Sequence, residues 1–391
     1  MPDCRDQPWE TSVLRPFTRL AAGTLVLALP LAAAAGCGVE KRRTIKAEFA
    51  SATTNLENSK AASFTLRFDD SKGTAGALAT KDGSTPKAVV DALLHGSITY
   101  VVDPAGDATL KSLQAGASTA SLAEQLKKVN VGFVVRDASA VLGEFRLVAG
   151  VLYAHVDLTE IGTIAKAAGV KDFDTSLDQA IASAGPQFAK GLTDLRAGKW
   201  ITLPVARYLD KFQALAKAFT PAFPVSPGAG VDVAALGNKL VAAVRPYVKV
   251  TDANDSSTDR VLDVNVQARP ALKAALAVLK GAKDLPFASA LKGFDPAQVD
   301  ATVADGTAHG TITLRSGHLS QFTVDLESVR KLDTTPGPGS LAGASVVVDI
   351  DDSAAQVQVP ADVSSFDVGA LLDELLQGFA ARAGAAVPLS G

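Results

Sequence analysis

Alternation of apolar and polar residues recurs along this chain and constrains its fold more than any other feature. In "SFTLRFDD", Phe64, Leu66 and Phe68 alternate with polar residues, so the predicted strand has one apolar and one polar face. The same period of two returns in "GSITYVVD", "VNVGFVVRD", "GEFRLVAG", "VLYAHVDL", "RVLDVNVQA", "GTITLR", "LSQFTVDLESV", "ASVVVDID" and "AQVQVP". Strands of a parallel sheet read as continuous apolar runs, so this alternation predicts an antiparallel sheet with one solvated face.

Helical patterns interrupt these strands. Apolar residues at positions 45, 49, 52 and 56 predict an opening helix. Amphipathic stripes between Leu158 and Tyr247 predict a helical block, with Thr175 or Ser176 as a cap and a short strand, "WITL", at 200–203. Further helices are predicted from Pro270 and over 367–384. There are more predicted strands than one flat sheet covered by helices would need. This number predicts an α+β fold, in which helices pack on the concave face of a strongly curved antiparallel sheet, or half-barrel.

The first residues have the pattern of a secretory signal. Arg5, Arg15 and Arg19 precede an uncharged stretch over 20–36 that ends in small residues. This stretch contains Pro30 and two glycines, and it is shorter than a typical membrane-spanning helix. We therefore expect residues 1–36 to be a signal peptide.

Cys37 follows Ala-Ala-Gly at the end of this stretch, and the segment resembles the lipobox of bacterial lipoproteins. Cys4 leaves with the signal, so the mature chain keeps a single cysteine. An unpaired thiol is a liability in an oxidising compartment, and a lipid on the sulfur removes it. The resemblance implies a palmitate-type anchor at Cys37, a lipidated linker over 37–44 and a location on the extracytoplasmic face of the cell membrane. The alternative is a soluble secreted protein with an incidental cysteine.

Composition excludes some partners. The chain is 47% hydrophobic and 20% charged, which is typical of a globular protein, and its formal net charge is −3. This mildly acidic balance does not favour nucleic acid as a partner. We expect a monomer.

Residues that carry chemistry are sparse. The four histidines, His95, His155, His309 and His318, lack metal-ligand spacing, and the sequence contains no HExxH and no GxSxG. His155 beside Tyr153 and Asp157 is either an acid–base cluster or part of a solvated outer face, and we favour the latter. The acidic stretch at 252–259 and the acids 349, 351 and 352 resemble calcium loops only weakly and are predicted as turns. We expect no enzymatic activity, no cofactor and no metal.

The order of these segments resembles the LppX/LprG lipoproteins of actinobacteria, which share a half-barrel fold with the LolA and LolB carriers. The resemblance covers about residues 42–362, from the opening helix and "FTLRF" through "VGFVVRDASAVLGEFRLVAGVLYAHVDL" to "GTITLRSGHLSQFTVDL" and "SVVVDID". We therefore expect one domain over 45–362, with a helical insert at about 160–247, and a C-terminal amphipathic helix and tail over 363–391.

In that family, a cavity between sheet and helices holds the acyl chains of lipids or glycolipids. The resemblance thus implies a lipid-binding or lipid-carrying protein with an apolar cavity. The candidate lining residues are the inward positions of the predicted strands: Phe64, Leu66, Phe68, Phe133, Val135, Phe145, Leu147, Ile312, Leu314, Phe322, Val324 and Leu326.

Two alternatives stay open at this point. Inward strand residues under helices are usually close-packed core, so each of the twelve is either core or cavity lining. A filled interior would favour a structural or signalling lipoprotein that binds another envelope protein.

Overall fold

The computed structural model describes residues 40–81, 85–115, 122–205, 207–208, 233–255, 259–281, 296–334, 339–364, 369–370 and 372–373. Twelve strands lie in these ranges: β1 Ala62–Asp70, β2 Gly96–Pro104, β3 Val129–Asp137, β4 Ala140–Val148, β5 Val151–Val156, β6 Trp200–Leu203, β7 Val248–Asp255, β8 Asp259–Gln267, β9 Thr307–Arg315, β10 His318–Asp325, β11 Ala344–Asp351 and β12 Val363–Ser364.

Helices in the described ranges are α1 Glu40–Asn58, α2 Thr74–Thr80, α3 Lys87–His95, α4 Leu110–Ala115, α5 Leu122–Lys128, α6 Leu158–Ala167, α7 Phe173–Ser183, α8 Pro186–Arg196, α9 Val233–Val244, α10 Ala268–Gly281, α11 Pro296–Thr302 and α12 Leu326–Arg330. A short 3₁₀ helix, Arg245–Tyr247, follows α9.

All twelve strands form one sheet in the order β12-β6-β5-β4-β3-β2-β1-β11-β10-β9-β8-β7. Neighbouring strands are antiparallel, apart from the parallel pair β12 and β6. The sheet is curved and does not close, since β12 and β7 are its two end strands. The predicted α+β fold with a curved antiparallel sheet is therefore confirmed.

The main core lies over β8–β11. Ile45 and Phe49 of α1, Val244 of α9 and Ala271 of α10 pack against the apolar face of these strands. Leu262 and Ile312 at the centre are both 0% exposed. Each fully buried aliphatic side chain of this size stabilises the fold by about 1.5–3 kcal/mol. Helices thus cover one half of the apolar face.

The segment after β11 differs from the prediction. "AQVQVP" has the alternation of a predicted strand, but residues 354–360 belong to no strand. They cross the polar face of the sheet, where Val357 donates its backbone N–H to Asp103 and Arg146 donates to the carbonyl of Gln358. Val363 and Ser364 then pair with β6 at the far edge. We call residues 353–364 the strap. Because the strap supplies β12, the sheet extends two residues beyond the predicted domain end at 362.

The helical block also differs in detail. The amphipathic pattern over 175–195, which predicts a single helix, divides between two helices, α7 and α8, because Pro186 begins a new helix after Gly185. Asp172, not Thr175 or Ser176, lies at the N-cap of α7. The predicted strand at 200–203 is β6, which pairs with β5, so the block contributes to the sheet. The sequence does not predict strand β7, because the helical block is expected to extend to Tyr247 and residues 252–259 are expected as a turn.

Two boundaries shift as well. Helix α1 begins at Glu40, inside the stretch expected as a linker, and α10 begins at Ala268 rather than Pro270. Most of the predicted helix over 367–384 lies outside the described residues, as does the signal region with Cys37.

Candidate functional site

The strand register places eleven of the twelve candidate lining residues on one face of the sheet. Phe64 pairs with Tyr100, Tyr100 with Phe133, and Phe133 with Phe145. In the other direction, Leu66 pairs with Val348, Val348 with Phe322, and Phe322 with Ile312. The twelfth residue, Leu326, is not part of a strand. Leu326 begins α12, because Asp325 ends β10 and accepts the N–H of Glu327 as the helix cap.

This apolar face has a covered half. Ile312 is 0% exposed, Leu314 3%, Phe322 5%, Val324 2% and Leu326 9%, and all five belong to the main core. Phe64, Leu66 and Phe68 on β1 are partly buried against the same core. These residues stabilise the fold by packing beneath the helices of the main core.

The other half of the face is more open. We define the open apolar face by its eight residues on β2–β4: Ile98, Tyr100, Val102, Val131, Phe133, Val135, Phe145 and Leu147. Ile98 is 38% exposed, Tyr100 40% and Phe145 37%, although they share a face with residues that are almost fully buried. In the described ranges, the main core contains no residue of β2–β6.

The open apolar face carries no charged side chain. Phe133 and Phe145 are in ring contact, with centroids 6.3 Å apart at an interplanar angle of 48°. Tyr100 carries the single polar group of the set, and burial raises the pKa of its hydroxyl above the ordinary value. Exposed apolar and aromatic surface of this kind is typical of interaction or ligand-binding sites. Ile98, Tyr100, Val102 and Val131 are not among the predicted lining residues, although "GSITYVVD" and "VNVGFVVRD" show the same alternation.

The opposite face of these strands is polar and partly closed by the strap. The Arg146 guanidinium lies 4.8 Å from the centroid of the Trp200 ring, and its Nε donates to Glu144 at 2.7 Å. The His155 ring packs against the same Trp200 ring, and the two ring centroids are 5.4 Å apart. Asp157 instead accepts backbone N–H groups as the cap of α6. His155 and Asp157 therefore form no acid–base cluster.

The strap ends in a hydrogen-bonded polar cluster at the sheet edge. Ser364 donates to the Asp194 carboxylate at 2.5 Å, and Lys190 pairs with Asp194 and donates to Ser364 at 3.1 Å. The hydrogen bonds from Lys190 and Ser364 hold the pKa of Asp194 below its usual value. Since these groups satisfy one another, the cluster fixes β12 to α8.

Several of the acidic residues singled out in the sequence have a hydrogen-bond or ion-pair partner within the fold. Asp349 accepts hydrogen bonds from Arg67 and Gln321, Asp351 from Ser353, and Asp352 lies 2.6 Å from His318 Nδ1. Asp252 lies on β7 and pairs with Arg260. Within the described part of the chain, no group of three or more His, Cys, Asp or Glu side chains is arranged to hold a metal ion.

Two clefts flank helix α3. One, of about 580 Å³, lies between α3, α2 and the end of β1, and its walls include Phe68, Asp70 and Asp91. The second, of about 310 Å³, lies between α3 and α6 beside the β3–β4 turn. Neither cleft contains a residue of the open apolar face. The expected cavity between sheet and helices thus stays a prediction.

None of the described helices combines the length and hydropathy needed to cross a bilayer.

Comparisons with known proteins found similarity among solved structures only. No family model and no curated protein matches the sequence. The chain is similar to the Mycobacterium tuberculosis lipoprotein LppX, with a TM-score of 0.28, 9% identity and coverage of 80% of this chain and 97% of LppX. It is also similar to LprF from Mycobacterium bovis, with a TM-score of 0.29, 9% identity and coverage of 81% and 96%.

Proposed function

We propose that this protein is an envelope lipoprotein, anchored through Cys37, that binds or carries the acyl chains of a lipid or glycolipid on its open apolar face. The observation that carries the proposal is the difference in exposure along one face of one sheet. Ile312 is fully buried under helices, whereas Ile98 on the same face keeps 38% of its surface exposed. A soluble fold rarely leaves contiguous apolar surface uncovered unless a partner occupies it.

The chemistry of the open apolar face suits a hydrocarbon chain. Its side chains are aliphatic or aromatic, and it offers no charge for a phosphate or a nucleotide. An acyl chain gains about 0.8 kcal/mol for each methylene that it buries against such a surface. Strands lie about 4.8 Å apart, so β2–β4 provide a floor about 10 Å wide.

The sequence of the N-terminus supports the anchor. Cys37, the expected site of the lipid, lies three residues before the start of α1 in the sequence. Ile45 and Phe49 hold α1 in the core. The anchor would therefore hold the folded domain close to the bilayer from which lipids are taken or to which they are delivered. Two or more acyl chains make such attachment stable.

Lipid extraction tests the proposal. The chain from Gly38 to Gly391, which retains every described residue, is purified from a bacterium without detergent, extracted with organic solvent and examined by mass spectrometry. We expect an acyl lipid to copurify. Ile98→Asp places a charge on the open apolar face and should abolish copurification, whereas Thr99→Asp, one residue away on the polar face, should retain it.

The outcomes separate the two functions considered. Wild-type protein that is free of lipid would overturn the proposal and favour a lipoprotein that binds another envelope protein. Equal lipid in Ile98→Asp and Thr99→Asp would show that the ligand lies elsewhere.

A further inference from the structure

A row of aromatic side chains crosses the sheet at one register position. Phe64 of β1, Tyr100 of β2, Phe133 of β3 and Phe145 of β4 lie opposite one another in adjacent strands. Directly paired residues on one face lie about 4.5–5.5 Å apart at Cβ, so neighbouring rings are within reach of contact. We call this row the aromatic band: it places four aromatic residues side by side from the core into the open apolar face, and Phe133 and Phe145 are in ring contact.

Tyr100 is the one member of this band with a hydrogen-bonding group. Its neighbours along β2 on this face are Ile98 and Val102, and those on β3 are Val131 and Val135. Among the described residues, no hydrogen-bond partner is found for its hydroxyl, and 40% of the residue is exposed. At neutral pH the phenol is a neutral donor, as is an ordinary tyrosine, and burial raises its pKa further. In the absence of ligand, water reaches this hydroxyl.

A ligand on the open apolar face changes that situation. A hydrocarbon chain over the aromatic band displaces water from the hydroxyl, and a buried hydroxyl without a partner is costly. A tyrosine whose ring is apolar and whose hydroxyl finds one partner is a common arrangement at such interfaces. The described side chains that flank Tyr100 on its own face are hydrocarbon, so a ligand is the source of a partner that the proposed function provides.

We propose that the hydroxyl of Tyr100 donates a hydrogen bond to the carbonyl oxygen of an acyl ester, so that the site prefers esterified acyl chains to plain hydrocarbons. This inference rests on the proposed function and deepens it, since it names the ligand class. An ester carbonyl accepts a hydrogen bond and is otherwise embedded in hydrocarbon, which matches one donor within an apolar surface. Phe at this position would leave the carbonyl unpaired.

Two probes and two variants test the assignment. The chain from Gly38 to Gly391 is incubated with dioleoylglycerol, which carries esters, or with octadecene, a hydrocarbon, and retained probe is measured by mass spectrometry after gel filtration. Tyr100→Phe removes one oxygen and keeps the aromatic band. Tyr153→Phe, on the opposite face of the sheet, is the matched control.

Tyr100→Phe is expected to weaken retention of dioleoylglycerol by about three- to tenfold, which is the contribution of one neutral hydrogen bond. Retention of octadecene should be unchanged or improved, and Tyr153→Phe should match the wild type with both probes. If Tyr100→Phe retains as much dioleoylglycerol as the wild type, the role of Tyr100 is overturned but the proposed function is not. A wild-type protein that retains neither probe overturns the proposed function, and this inference with it.

Discussion

The backbone N–H of Val357 donates to the carboxylate of Asp103 at 3.0 Å, and this bond holds the strap on the polar face of the sheet. Asp103 is 1% exposed and also accepts from Asn130 at 3.3 Å. The residues belong to segments 254 positions apart in the chain. Asp103 thus connects the end of β2 to the segment that carries β12 to the far edge.

Removal of this acceptor should loosen the strap. Asp103→Ala removes the acceptor of the partly buried N–H of Val357, and we expect a loss of about 1–3 kcal/mol in the free energy of unfolding. Urea unfolding followed by the fluorescence of Trp200 measures it, since the only other tryptophan, Trp9, lies in the expected signal peptide. Asp107→Ala is the control, because Asp107 pairs with Lys60 at a fully exposed position and its loss should leave stability unchanged. Equal stability of the two variants would contradict a structural role for Asp103.

Isoleucines on the two halves of the apolar face provide a matched pair. Ile312→Ala empties a fully buried site in the core and should cost about 2–5 kcal/mol. Ile98→Ala removes the same atoms from a site that is 38% exposed and should cost about 1 kcal/mol or less. Chemical denaturation of both variants measures the two losses in the free energy of unfolding and so compares the packing of the two halves. Similar losses would show that the open apolar face is packed like the core.

Glu327 makes the stability of the folded protein depend on pH in the acidic range. Hydrogen bonds from Arg330 and from the backbone N–H of Leu341 lower the pKa of Glu327 to about 2, from an ordinary 4.5. A carboxyl with a lowered pKa in the folded state stabilises the protein fully above its ordinary pKa, and this contribution is lost as the pH falls toward 2.

The wild type should therefore be more stable than Glu327→Gln at neutral pH, and the difference should shrink progressively between about pH 4.5 and pH 2. Thermal unfolding of both proteins over this range measures the effect. A difference that is constant with pH would mean that Glu327 contributes by packing and not by its charge.

The anchor prediction depends on one sulfur. Cys37→Ala should abolish incorporation of labelled palmitate and move the protein from the membrane fraction to the soluble fraction of the cell envelope. Cys4→Ala, in the expected signal peptide, should leave both unchanged. Palmitate in the Cys37→Ala protein would place the lipid on another residue.

Local alternation was enough to predict most of the sheet. "SFTLRFDD" and "GSITYVVD" form β1 and β2 with the predicted faces, since Phe64 lies opposite Tyr100 and Leu66 opposite Ile98 in the register. The wrongly predicted strand "AQVQVP" has the same alternation. Its backbone is bound instead by Asp103 and Arg146, two side chains that are distant in sequence, and no local pattern reveals such partners.

The division of the apolar face into a covered half and an open half could not be predicted from the sequence either. Ile98 and Ile312 both alternate with polar residues, and their strands read alike. Their exposure differs because α1, α9 and α10 lie over β8–β11, and the placement of helices from distant segments depends on long-range packing. Four of the twelve candidate lining residues, Phe133, Val135, Phe145 and Leu147, lie on the open apolar face, and their role as a ligand site stays a prediction.

Photolabelling tests the central claim most directly, because it reports where an acyl chain lies. A fatty-acid ester with a diazirine in its chain is irradiated with the chain from Gly38 to Gly391, and the labelled residues are identified by mass spectrometry. We predict labels on Ile98, Tyr100, Phe133 and Phe145, with none on the neighbouring polar-face residues Thr99 and Arg146. Labels confined to the polar face, or spread evenly over both faces, would contradict lipid binding on the open apolar face.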